Sequence, residues 1–195
     1  MSSRWQARVD DTRRTLSIEW ALTSIEVGIV AGAIAGLCMP LVASLVALAK
    51  GEDALAPPEA IVEMFFGELH AGTDLTIIIV IAGTVAHVLL SAVYGVMFAL
   101  FSGVSRRAPS RLALLATGMA WGVGRWLSNT FLVAPRLAGG ALITATMPAW
   151  TWAAGHLLYG AVLGLLYFRW RHYIAFDTLD GAALRPTGIA TSGAQ

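Results

Sequence analysis

The chain has 195 residues, of which 57% are hydrophobic and 13% charged, about half the charged share of an ordinary soluble domain. That much apolar surface excludes a water-soluble fold of this size, and a net charge of +1, with basic residues set beside apolar runs, gives nucleic acid no binding surface. The lone cysteine, Cys38, excludes an internal disulfide and a thiolate metal cluster.

Residues 1–19 form a polar N-terminal segment with Arg4, Arg8, Arg13 and Arg14 beside Asp10 and Asp11. Its apolar residues are too sparse for a signal peptide, so the first apolar run is expected to act as the membrane-targeting segment. Four apolar segments follow, at about residues 20–49, 75–102, 112–133 and 147–168. Each meets the ~20 residues needed to cross a ~30 Å hydrocarbon core, and only helices satisfy their own backbone there. The predicted fold is therefore an all-α integral membrane protein, a bundle of four transmembrane helices over residues 20–176. Pro40 falls inside the first span, where packed membrane helices tolerate it and a kink is expected.

Between spans one and two, Pro57 and Pro58 suit a helix start. Ile61, Val62, Phe65, Phe66 and Leu69 then recur at helical spacing against Glu59, Glu63 and Glu68. This predicts a short amphipathic surface helix, packed on the spans or in the headgroup layer, with partner binding as the alternative. Residues 177–195 are small, polar and glycine-rich, and are expected to be a disordered tail.

Arginines gather before span one, between spans two and three (Arg106, Arg107, Arg111) and after span four (Arg169, Arg171, Arg185), whereas the other two loops offer Lys50 and Arg136. The positive-inside rule then places both termini in the cytoplasm and the chain in the inner membrane as a multi-pass protein.

Spans two and four share a frame. His87, Ser91, Gly95 and Phe98 match His156, Gly160, Gly164 and Tyr167 in spacing, while Gly28, Gly32 and Gly36 stripe span one and Gly118 and Gly122 stripe span three. The pattern is that of a two-helix hairpin duplicated in the same orientation. The same glycines suit a seam within one bundle or between two copies.

Ionisable residues inside a membrane are costly and mark candidate sites. Here they are Glu26, His87, Arg125 and His156, with Ser91 and Asn129 as polar neighbours. Glu26 lies near the start of span one, where the helix dipole favours an anion and the side chain can reach water. The two histidines lie on small-residue stripes within about one turn of the same depth. Three readings are open for them: imidazoles that hydrogen-bond across helices, a polar or protonatable site for a solute or proton, and axial ligands of a b-type haem. Arg125 needs acceptors, expected from a carboxylate of the first loop such as Glu63, Glu68 or Asp74, or else from an anionic ligand or headgroup. His70 and His172 read as solvated. There is no phosphate loop, paired-histidine zinc motif or nucleophile elbow, so no catalytic or metal residue is assigned.

The segments Ala86-His87-Val88-Leu89-Leu90-Ser91 and Gly155-His156-Leu157-Leu158-Tyr159 resemble those of the YagU-like small bacterial inner-membrane proteins, over about residues 81–171. The resemblance carries over His87, Ser91, Gly155 and His156, and implies location and topology rather than a mechanism. The expected function is that of a non-enzymatic accessory or assembly subunit of a larger membrane complex or a stress-related membrane protein. A small transporter or proton-coupled channel, and a haem electron-transfer subunit, are the alternatives. The expected partners are the lipid bilayer, other subunits of a membrane complex, or a second copy of the chain.

Overall fold

The computed structural model describes residues 3–67, 73–103, 110–137, 139 and 149–183. They are helical almost throughout. The long helix α1 (Ser3–Ala49) is followed by the short α2 (Ala56–Phe66), then α3 (Thr73–Gly103), α4 (Arg111–Ser128) and α5 (Ala149–Ala183). A π-helical turn (Asn129–Val133) and a 3-10 turn (Ala134–Arg136) extend α4.

Three of these helices are long and apolar enough to cross a membrane, over Ile18–Ala49, Ile77–Ser102 and Ala149–Arg171. The fourth segment does not meet that measure by itself, because Arg111 and Arg125 lower the mean hydropathy of the 18 residues of α4. Two boundaries also differ from expectation. The polar segment before residue 20 is helical from Ser3, continuous with the span, and α5 runs on to Ala183, past the point where the tail was expected to begin. α1 continues through Pro40.

Ile81, Val85, Leu89, Val93, Met97 and Phe101 stand exposed at four-residue intervals along α3. An apolar stripe of that length facing water would be an aggregation surface; facing acyl chains it costs nothing. Polar side chains are turned the other way: Ser24, Ser91, Arg125 and His156 are buried.

Glycine lets the helices pair closely. A Cβ on Gly95 of α3 would fall 2.2 Å from the Gly28 carbonyl oxygen and 2.6 Å from Gly32 Cα. On α5 a Cβ at Gly164 would fall 2.4 Å from the Leu114 carbonyl oxygen, and one at Gly160 would fall 2.0 Å from that of Gly118. Backbone against backbone at these distances leaves no room for a side chain. Both pairs are antiparallel, since Gly28 faces Gly95 while Gly36 faces Ser91, and Leu114 faces Gly164 while Gly122 faces His156. α1 also packs along α5. α3 and α5 are joined by side chains: the Tyr159 hydroxyl donates to the Ser91 carbonyl at 2.8 Å, and the Tyr167 hydroxyl to that of Ala99 at 3.3 Å. The Phe98 ring meets Tyr167 edge-on at 5.7 Å and Trp121 of α4 at 6.1 Å.

The expected amphipathic helix is α2, and it packs on the spans. Its first turn holds the two prolines, and Gly67, at φ 81°, ends it with its N–H on the Glu63 carbonyl. Val62 seats in a hollow of α3 that exists because residue 83 is glycine; a Cβ there would lie 2.2 Å from Val62 Cγ2. The Gly139 N–H donates to the Met64 carbonyl at 3.2 Å and fastens the far end of α2. Glu68, Leu69 and His70 lie outside the described residues, as do the side chains of Phe66, Asp74 and His172.

Candidate polar centre around Arg125

α4 starts where the Ser110 hydroxyl accepts from the Ala113 N–H at 3.1 Å, and four turns later it delivers Arg125 to the interior with 4% of its surface exposed. No carboxylate pairs with Arg125 among the described residues; of the partners expected from the acidic loop, Glu68 and the Asp74 side chain lie outside them. Instead the guanidinium lies between two aromatic rings, its central carbon 4.4 Å from the centroids of both Tyr94 and Tyr159. Aromatic faces carry negative potential, so two of them offset part of the cost of an unpaired buried charge. Nη2 also donates to the Ser91 hydroxyl at 3.3 Å. Nε and Nη1 are buried with no hydrogen-bond acceptor.

The histidines flank this group and are tied to backbone. His87 Nε2–H donates to the Gly36 carbonyl on α1 at 3.2 Å. A carbonyl only accepts, so this nitrogen carries the proton. His156 donates from Nδ1–H to the Trp152 carbonyl one turn earlier at 2.9 Å, and its ring stacks on Trp152 at 5.9 Å. Its Nε2 is then the acceptor, and the Asn129 amide donates to it at 3.2 Å. Asn129 opens the π-helical turn, where the helix widens ahead of Pro135. The proline has no N–H to give and crowds the carbonyl four residues back.

The expected site residues therefore divide. His87, Ser91, Arg125, Asn129 and His156 converge on one centre; Glu26 does not, being exposed on α1 about 15 Å along the helix from Gly36. Sequence reasoning passed over Tyr94, read Trp152 only as a membrane-interface aromatic, and did not connect α2 with the histidines. A signal existed for the first: Tyr94 follows Ser91 by three residues, as Tyr159 follows His156, which places each ring beside its polar neighbour on the helix.

A pocket of about 100 Å³ opens beside Arg125, His87, Asn129 and His156, and is closed on its far side by Ala60 and Ile61 of α2. It adjoins a wider vestibule of about 490 Å³, which shares Met39, Ala43 and Pro57 with it and reaches Lys50 and Glu52. On the other side of Arg125 a cleft of about 460 Å³ lies between α3 and α4, lined by Tyr94, Phe101, Trp121 and Ser128.

The pocket does not suit haem. Both Nε2 atoms are already engaged, and the space the histidines share is well below the ~300–1,000 Å³ of a typical cofactor pocket. No group of three or more metal-ligating side chains is present among the described residues. No protein-family model, curated protein or solved structure matches the chain.

Proposed function

We propose that this is a four-span membrane protein that passes or exchanges a small polar solute past Arg125. The observation that carries the proposal is a buried cation with two unsatisfied nitrogens at the junction of an entry pocket and a second cleft. A fixed charge inside a bilayer is expensive, and a solute path is a common reason to retain one.

α4 and its π-helical turn together supply 23 continuous helical residues, Arg111 to Val133, or roughly 35 Å, enough to make a fourth crossing of a ~30 Å core. Four crossings keep both termini on one side, and the arginine distribution puts that side in the cytoplasm, with α2 on the outer surface of an inner membrane. The two glycine seams support a duplicated hairpin. Gly28, Gly32 and Gly36 correspond to Leu114, Gly118 and Gly122 at one constant offset, and His87, Ser91 and Gly95 to His156, Gly160 and Gly164 at another.

Proteoliposomes containing the purified chain test the exchange reading. Stopped-flow light scattering after a jump in sodium acetate, sodium formate, sodium chloride or glycerol is expected to show protein-dependent entry of at least one solute, lost in Arg125→Ala. Rates equal to those of empty liposomes for all four would overturn it. A second reading, an accessory subunit, is favoured by the cleft between α3 and α4, because exposed Met97, Phe101 and Gly124 leave it open for a partner's helix. Purification from native membranes in mild detergent tests that version, which a lone particle refutes.

A further inference from the structure

The unsatisfied nitrogens of Arg125, and the walls around the pocket it lines, narrow the kind of solute. Resting on the exchange reading, we propose that the pocket between α2 and Arg125 binds a small monocarboxylate. Its carboxylate sits on the guanidinium, and its short apolar tail lies against Met39, Pro40 and Leu90 beneath α2.

Charge comes first. Among the described residues Arg125 is the only cationic side chain lining the pocket, and no carboxylate lines it. A single negative charge is balanced there, whereas a divalent anion would bring a second charge into a region with nothing to meet it. Hydrogen bonding points the same way. Nε and Nη1 are donors without acceptors, and Arg125 lines the pocket together with Asn129. A carboxylate is an acceptor only, with two oxygens to offer, while a neutral polyol brings hydroxyl donors that would need acceptors of their own.

Size and wall chemistry complete the case. About 100 Å³ is several times the ~10–15 Å³ that a cavity needs to hold one water, which suits a ligand of a few heavy atoms. Apart from its polar end, the pocket is walled by Met39, Pro40, Ala43, Ala60, Ile61 and Leu90. A halide would satisfy the charge and leave these walls facing empty space; a methyl or ethyl group fills it. The vestibule supplies the approach, and α2 forms the roof, since Pro57, Ala60 and Ile61 all line the inner pocket.

The test uses the full chain in nanodiscs and titration calorimetry with sodium acetate, sodium chloride and sodium phosphate. Acetate is expected to bind saturably, with chloride and phosphate at least about tenfold weaker. Arg125→Gln, which removes the charge-assisted hydrogen bonds, should weaken acetate by about tenfold or more. Ala60→Phe fills the pocket from α2 without touching Arg125, and should abolish binding even if Arg125→Gln fails to fold. Absence of a saturable acetate signal, chloride binding as tight as acetate, or acetate affinity unchanged in Ala60→Phe would each overturn the assignment. Acetate binding with no protein-dependent flux of any of the four solutes in liposomes would refute exchange and leave the site standing. Flux that persists in Ala60→Phe would refute the site and leave exchange standing.

Discussion

Replacing Gly95 with alanine puts a methyl carbon 2.2 Å from the Gly28 carbonyl oxygen and 2.6 Å from Gly32 Cα. Both obstacles are backbone, so no change of rotamer relieves them. Atoms in ordinary contact sit ~3.5 Å apart, and α1 and α3 must therefore separate by roughly 1 Å at their closest approach. Overpacking of this kind costs about 1–3 kcal/mol, to which the loss of contacts along the rest of the seam adds. Alanine's better helix propensity returns up to about 1 kcal/mol, so Gly95→Ala is expected to be destabilising by about 1–2 kcal/mol or more. Gly124→Ala is the matched control, because a Cβ there meets nothing within 4 Å. It keeps the propensity gain without the clash, and should be neutral or stabilising by up to ~1 kcal/mol. Reversible unfolding in mixed detergent micelles, followed by helicity against the fraction of SDS, measures both. The reasoning fails if Gly95→Ala unfolds at the same SDS fraction as Gly124→Ala, or later.

Other consequences can be checked with single substitutions. Tyr159→Phe keeps the ring over Arg125 and removes the hydroxyl bond to Ser91, so the melting transition should fall by the equivalent of about 1 kcal/mol. Arg125→Lys should be worse than its preserved charge suggests, losing about 1–3 kcal/mol in the same assay, because an ammonium cannot stack between two rings as a planar guanidinium does. Burial, with Asp53 and Glu63 nearby, raises the Glu59 carboxyl above its usual range. A raised carboxyl makes its stabilising contribution when protonated, fully present below the unfolded pKa and lost as pH rises through the folded one. Hydrogen exchange in α2 should therefore be more protected near pH 4 than near pH 7, once corrected for intrinsic rates, and Glu59→Gln should flatten the difference. Cysteines placed at Ser110 and Leu137, in a chain carrying Cys38→Ala, should react with an impermeant maleimide from opposite faces of a vesicle. Labelling from one face alone would remove α4 from the set of spans.

How far the sequence could be read depended on whether an interaction leaves a periodic trace. The glycines did, because close helix pairing demands small residues every four positions, and Gly28, Gly32, Gly36, Gly118 and Gly122 lie at the seams where that spacing puts them. The inward direction of His156 was legible for the same reason, as was the amphipathic face of α2. Arg125 was harder. A buried cation suggests a carboxylate, and the acidic loop offered three, of which Glu68 and the Asp74 side chain lie outside the described residues; the described contacts that meet its charge are Tyr94 and Tyr159, whose aromatic faces carry no formal sign to search for. The covering of the histidines by α2 was beyond reach, since it depends on Val62 finding the hollow at Gly83, a pairing between residues 21 apart that no local pattern encodes. The length of α5 was misjudged because small polar residues after Asp177 read as a coil, while a helix already under way extends more easily than one that must nucleate.

The two tyrosine hydroxyls that cross from α5 to α3 are spaced eight residues apart on both helices, at Tyr159 and Tyr167 on one and at Ser91 and Ala99 on the other. They act as two pins about 12 Å apart through a pair of parallel rods. Sliding one rod along the other breaks both pins together, whereas turning the rods about the line that joins the pins strains neither. Any widening of the passage beside Arg125 is thereby biased toward rotation of the halves and away from a piston stroke.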